Sequence, residues 1–432
     1  MSPVYLRLNG LLERHGRLFA MFKQKRTIFL SIGGLFLLGV LLYQIPSIKS
    51  RVDWRVERIT TYVNGIVHPA GPVPTALPET AIVKQETNTP LPTRPVTVAP
   101  QITATATPKP LPLQVFLPPP AFEDEKKFPN NCGPATLTMA LRAYGWTGDQ
   151  FDISKVIKPL PDDRNVNPDE LVYWVRNYAG WLNAEYRVNG NLALLKQLLA
   201  AGFPVMIEET FIFDKPFWPN DDLWAAHYVL VTGYDDSAQT FTVQDAYHGP
   251  DQIISYTKLE QDWEPFNHLF LLVYLPDEET QLRDILGADW DPDVNRQNAL
   301  NDTQAATVSS PNDAFAWFNY GSNLVYFERY EQAVAAYDTA RKIGLPQRMF
   351  RYQFGPFIAD FNTNRLDDLM EITKYTIDLA NTYSEESWLW QGWALYRRGD
   401  TQGAIAKWRK ALSIRPGYVD AINALKFVGV EP

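Results

Sequence analysis

The sequence predicts an α+β domain, then an all-α repeat region, with one membrane-crossing helix ahead of both. Three observations carry this. Thr27–Ile45 has no charged residue. Between residues 121 and 285 helical patterns come first and strand patterns follow, the order of an α+β domain. From Trp317 onward Gly, Ala and aromatic residues recur with a period of about 34 residues. The 432 residues are 46% apolar and 21% charged, which excludes a wholly disordered chain and a polytopic membrane protein.

The first elements concern the membrane. Residues 1–26 form a basic tail holding Arg7, Arg14, Arg17, Lys23, Lys25 and Arg26 against Glu13 alone. The uncharged run 27–45 follows and stops at Pro46. At ~1.5 Å per residue it matches the ~30 Å hydrocarbon core. A cleaved signal peptide is the rival reading, but the run is long for one and no small-residue cleavage site follows. The basic flank places the N-terminus in the cytoplasm and everything after residue 46 outside. Lys49, Arg51, Arg55 and Arg58, in the juxtamembrane segment 46–68, weigh against that topology.

Residues 69–120 contain fourteen Pro and many Thr. Pro fixes φ and removes a donor, so this segment reads as an extended tether, reaching at most about 160 Å, that holds the rest off the membrane. Residues 1–58 carry ten Lys/Arg against three Asp/Glu, so a net charge of −9 leaves −16 for the remainder. Such an acidic bulk argues against nucleic acid as a partner.

Within 121–285 a helix is expected directly after Cys132. A second opens at Asn167-Pro168-Asp169-Glu170, and a third runs from Leu192 to Ala201, closed by Gly202. PVMIEE, HYVLVTGY, TFTVQDAY and HLFLLVYL then read as strands. Cys132 is the only cysteine, so it forms no intrachain disulfide and no multi-cysteine zinc site. It sits in Asn130-Asn131-Cys132-Gly133-Pro134 at a loop-to-helix junction, and Pro134 suits a first turn. A helix N-terminus favours a thiolate, which a nucleophile needs. The bland reading is an inert buried thiol.

A thiol nucleophile needs a base and a group to orient it. Five His are present. His15 and His68 lie outside the domain, and His248 and His268 are weaker bases than His227. His227 opens its strand beside a long loop, and Asp245 ends the next strand. With Asp235-Asp236-Ser237 as the hairpin turn, the two come level. Asp245 could then hold the imidazole in one tautomer. Glu208 and Glu209 read as surface or supporting residues. The aromatic loop 211–224, with Phe217, Trp218 and Trp224, is a candidate cleft wall or a packed cover. No metal-ligand cluster, phosphate loop or cofactor site is visible.

NNCGPATLTMAL, AAHYVLVTGYDD and VQDAY together resemble the bacteriocin-processing cysteine peptidases, and more closely the stand-alone "C-thirty-nine-like" domains of bacterial surface proteins. The likeness covers roughly residues 121–285. It implies a papain-like fold with Cys132 as nucleophile, His227 as base and Asp245 as orienting group. The family's usual oxyanion-binding Gln lies five or six residues before the Cys; Lys127 and Lys126 stand there. Lys127, Lys126 and Asn131 are therefore the oxyanion candidates.

Residues 286–432 hold the repeats. Trp317, Gly321, Ala333, Tyr337, Ala340 and Pro346 form one unit; Trp388, Gly392, Ala404, Trp408, Ala411 and Pro416 another. The unit between them, about 347–381, is degenerate. The pattern resembles the tetratricopeptide repeat. A leading helix over 290–309 and a capping helix over 418–428 are expected. Such stacks bind peptides or proteins, or serve as a structural cap. The whole reads as a membrane-anchored, outward-facing cysteine peptidase acting on a peptide or protein, by hydrolysis or acyl transfer. The alternative is an inactive peptide-binding scaffold.

Overall fold

The computed structural model describes residues 33–34, 37–77, 110–127, 130–160, 163–379 and 384–432. Among them no helix is long and apolar enough to cross a membrane. Residues 27–32, 35 and 36 of the expected span, and the whole basic tail 1–26, lie outside the described residues. Contacts divide the chain into residues 1–61 and 62–432. Helix α1, Pro46–Val67, covers most of residues 46–68.

The domain after the linker is a mixed α+β body around one antiparallel sheet. Its strands are β1 (Gln114–Phe116), β2 (Asn183–Arg187), β3 (Val205–Ile212), β4 (Trp224–Asp235), β5 (Thr240–Asp245), β6 (Gly249–Ser255) and β7 (Phe270–Tyr274). The order across the sheet is β2-β7-β3-β4-β5-β6, with β1 added to β4. Helices α2 (Cys132–Arg142), α3 (Gln150–Ile157) and α4 (Pro168–Tyr178) cover one face. Leu137, Leu141, Val175, Leu230 and Leu271 are buried between them and the sheet. On the other face lie α5 (Leu192–Ala200), α6 (Tyr256–Trp263) and α7 (Glu279–Leu286). There Leu195, Leu198, Val229, Val231, Phe241 and Trp263 form a second core. The sheet is thus buried on both faces, which is why β4 and β7 read as almost unbroken apolar runs.

Each expected helix forms where its local chemistry places it. Asn167 caps α4 through a capping box with Glu170. Gly202, at φ +99°, follows α5, a backbone conformation that glycine adopts without strain. Helix α2 starts at Cys132 itself.

The repeat region begins with α8 (Pro292–Ser309), near the expected leading helix. Helix pairs follow: α9 (Ala314–Tyr326) with α10 (Tyr330–Ile343), α12 (Gly355–Asn362) with α13 (Leu366–Leu379), and α14 (Glu385–Arg397) with α15 (Thr401–Ile414). The short α11 (Met349–Tyr352) precedes the second pair, and α16 (Val419–Phe427) caps the stack. Gly392 shows why the pattern recurs: a Cβ there would lie 2.3 Å from Trp408 Nε1 of the partner helix.

The repeats dock on the α+β domain. Trp224 of β4 stacks on Phe266 at 5.6 Å and joins the core of the first two helix pairs. Arg348 is 1% exposed and binds Asp221 through both terminal nitrogens, at 2.6 and 2.7 Å. Its guanidinium also lies 4.1 Å from the Trp218 ring centre. Arg415, after α15, pairs with Glu170 of α4.

Both described ends of the expected tether are in place. Val73 is buried in the repeat core, Pro74 O accepts from Arg341 at 2.6 Å, and Leu77 N donates to Asp368 at 3.0 Å. At the other end β1 pairs with β4, and Tyr234 donates to Pro112 O at 2.7 Å. Residues 78–109 lie outside the described residues.

Candidate active site

Three elements bring the site together: the N-terminus of α2, the middle of β4, and the end of β5. Cys132, partly buried, opens α2. Thr136, one turn on, donates to Tyr228 O at 2.8 Å and fixes α2 against β4 beside His227. His227 is buried, and its Nε2 lies 2.8 Å from Asp245 Oδ1. That leaves Nδ1 for Cys132. A His227 ring nitrogen, the Cys132 sulfur and a Glu125 carboxylate oxygen all lie within 4.8 Å of one another.

The expected level pairing of His227 and Asp245 is corrected in detail. β4 begins three residues before His227, at Trp224. Leu230 pairs with Gln244, so the register extended by one step puts Asp245 across from Val229. His227 is two residues away on the same face, and the Asp245 side chain spans the diagonal.

Asp245 also accepts from the backbone N–H of Tyr247 and His248, at 2.8 and 3.1 Å, and lies 2.6 Å from His248 Nδ1. Burial alone would raise its carboxyl, but the bonds to both His hold it well below the usual range. Burial alone would lower His227. The bonds to Asp245 and Cys132, with the nearby carboxylates, outweigh it and raise the imidazole well above its ordinary value. The base is therefore built to carry a proton. His248 shares Asp245 from a half-exposed position, and His268 is bound to Glu260 at 3.1 Å, away from the trio.

The oxyanion candidates fare differently. Asn131 is buried, but its amide N–H₂ is given to Gln150 Oε1 at 2.6 Å. Lys126 is exposed, its ammonium 4.7 Å from the Tyr247 ring centre. The side chain of Lys127 lies outside what the structure describes. The residue that does reach the sulfur is Glu125, which sequence reasoning missed. Its Oε2 is buried with no hydrogen-bond partner. Burial raises its carboxyl above the ordinary value; His227 and Lys126 oppose this, Asp245 and Asp124 reinforce it. A second negative charge within 4.8 Å of a Cys132 thiolate would be repelled by roughly 3.5 kcal/mol at an effective dielectric of about 20.

Glu209 was also underestimated. It pairs across the sheet with His227 and is buried, which pushes its carboxyl up to about 8 against the pull of His227. Glu208 is likewise buried and raised to about 8, despite a bond to Tyr228. Both lie inside β3 and are not surface residues. Phe217, Trp218 and Trp224 are 7, 3 and 6% exposed, too little to wall a cleft by themselves. Trp218 Nε1 donates to Gln347 at 2.9 Å, and the loop is packed between the sheet and the repeats. Phe211, at its start, lies 5.1 Å from the His227 ring.

Among the described residues, Glu125, Cys132 and His227 form the one group of His, Cys and acidic side chains close enough to share an ion. An ion there would occupy the thiolate and its base together, so no metal role is assigned to it.

No curated protein matches the chain. Among solved structures, a C39-like peptidase from Bacillus anthracis is 17% identical over 37% of this chain and 97% of its own, with a TM-score of 0.30. Xylellain, a cysteine protease from Xylella fastidiosa, is 16% identical over 41% and 93%, with a TM-score of 0.30. YrrB, a repeat protein with an unusual peptide-binding site, is 16% identical over 34% and 97%, with a TM-score of 0.19. Residues 118–270 match the model of the Peptidase_C39 like family, and residues 385–418 match that of the tetratricopeptide repeat.

Proposed function

We propose that this protein is a cysteine peptidase that hydrolyses a peptide amide through a thioester at Cys132. The observation that carries the reading is His227, held on Nε2 by Asp245 and facing the thiol with its other nitrogen. His227 Nδ1 takes the thiol proton. The sulfur attacks the carbonyl carbon, and the C=O electron pair moves onto oxygen. When that pair returns, the C–N bond breaks and the amine leaves with the proton from Nδ1. Water then gives a proton to Nδ1 and attacks the thioester carbon; the thiolate leaves and recovers its proton. An amine in place of water would give acyl transfer by the same steps.

Iodoacetamide tests the nucleophile. Between pH 6 and 7 Cys132 should be alkylated at least tenfold faster than a free thiol of pKa ~8.5. Alkylation no faster than that free thiol would instead support the second reading, an inactive peptide-binding scaffold. That reading is favoured by the other contacts of the oxyanion candidates: an Asn131 amide N–H donates to Gln150, and the Lys126 ammonium lies over the Tyr247 ring. The repeats serve mainly to hold the peptidase domain, because α9 and the turn before α11 are docked on it through Asn323, Gln347 and Arg348. Their remaining surface is available to a protein ligand.

The same proposal includes a single membrane span with the catalytic domain outside the cell. It is supported by the uncharged run 27–45 and the basic residues before it. Protease added to intact cells should degrade the repeats and leave a small N-terminal stub. Complete protection of the repeats would reverse the topology, and a mature chain starting after residue 45 would mean a cleaved signal.

A further inference from the structure

We propose that Glu125, as a neutral carboxylic acid, donates the hydrogen bond that stabilises the oxyanion formed when Cys132 attacks its substrate. This rests on the peptidase reading above. A useful donor lies roughly 2.7–3.1 Å from the oxyanion. The carbonyl carbon is bonded to sulfur in the intermediate, so its oxygen projects into the space beside Sγ. A Glu125 carboxyl oxygen is within 4.8 Å of that sulfur, close enough to meet it. Of the described sequence candidates, Asn131 has an amide N–H committed to Gln150, and the Lys126 ammonium lies over the Tyr247 ring.

Glu125 is also fixed in place. Its own N–H donates to Ala246 O at 3.1 Å, the residue after Asp245. On its other side Glu123 is paired with Arg142 at 2.8 Å and accepts from Gln150 at 2.7 Å, while Gln150 also donates to Asp124 O at 2.8 Å. The two residues before Glu125 are thus tied to α2 and α3, and Glu125 itself to the end of β5. The backbone that carries the carboxyl is therefore held, which limits the reorganisation needed as charge develops.

The proton is essential, since only the neutral acid can donate. An ionised Glu125 would face the oxyanion with a like charge. Oε2 has no hydrogen-bond partner, and burial favours the neutral form. The charged and titratable groups around it are His227 on β4, Asp245 on β5, Cys132 on α2, and Asp124 and Lys126 beside it. Of these His227 and Lys126 favour ionisation, and Asp245 and Asp124 oppose it. Acylation should accordingly be present below the Glu125 pKa and be lost as pH rises through it.

Two probes on the purified full chain separate this role from the nucleophile's. Iodoacetamide alkylates Cys132 by displacement and forms no oxyanion. p-Nitrophenyl acetate acylates Cys132 through one. Glu125→Ala should slow acylation roughly tenfold or more while alkylation stays rapid. Glu125→Gln, an isosteric donor that cannot ionise, should restore acylation and remove its fall at high pH. The assignment is overturned if Glu125→Ala acylates like wild type, or if it slows both reactions alike. It is also overturned if Glu125→Gln behaves as Glu125→Ala, or raises acylation at every pH. Slow alkylation of the wild type would overturn the peptidase reading, and this assignment with it; rapid alkylation confines any failure to Glu125.

Discussion

Thioester formation at Cys132 should fall by roughly 10⁴-fold, or about 5.5 kcal/mol of transition-state stabilisation, in His227→Ala. His227 faces the thiol, and its ring is held by Asp245 on the far side. Removing it strips the proton acceptor and the cation that pairs with the thiolate. The fold should tolerate the change. Asp245 keeps its bonds to His248 and to the backbone N–H of Tyr247 and His248, so no carboxylate is left stranded. The pre-steady-state burst of p-nitrophenol measures the rate directly. Acylation within tenfold of wild type would remove His227 from the mechanism and leave His248, on the other oxygen of Asp245, as the base to test.

The second large effect concerns stability. Arg348→Ala should cost about 3–5 kcal/mol, because it leaves Asp221 buried without its counter-charge. Burial pushes the Asp221 carboxyl up, yet Arg348, helped by the backbone N–H of Phe217 and Leu223, holds it below the usual range. Arg348 also donates to Trp224 O at 3.0 Å and covers Trp218, so packing is lost with the charge. Arg348→Lys should recover little, since one ammonium cannot replace a two-pronged contact stacked on an indole. Urea unfolding followed by Trp fluorescence would report it. A midpoint unchanged in both variants would mean that the two domains are held together elsewhere.

Much of this architecture is written in short stretches of sequence. The start of α2 at Cys132, the capping box of α4 and the Gly–aromatic contacts of the repeats are all local, so spacing reveals them. The buried strands β4 and β7 are visible because both faces are apolar, and β5 because Phe241 and Val243 alternate with polar residues. What escaped depends on distant partners. β2, Asn183–Arg187, is a polar edge strand that only β7 defines. β6 lies at the other edge with Ile253 exposed, and β1 emerges from proline-rich sequence to pair with β4. The aromatic loop before β4 looked the same whether it faced a ligand or another domain; its partner, Arg348, is more than a hundred residues away. Glu125 was missed for a related reason. Counting back from Cys132 assumes a regular path, but Asn130 sits at φ 58°, so the chain turns there and neighbours in sequence cease to be neighbours in space.

Gly71–Leu77 dock on the repeats, so the tether expected over residues 69–120 is anchored at both of its described ends. Its two flanks belong to the same folded body: one is strapped to Arg341 and Asp368, the other is stitched to the sheet edge. Leu77 and Pro110 thus stand on one folded body, and the chain between them starts and ends there. Whatever lies before α1 remains joined to the catalytic residues through the short stretch ahead of Gly71, and a nick in the proline-rich segment would sever the chain without releasing them.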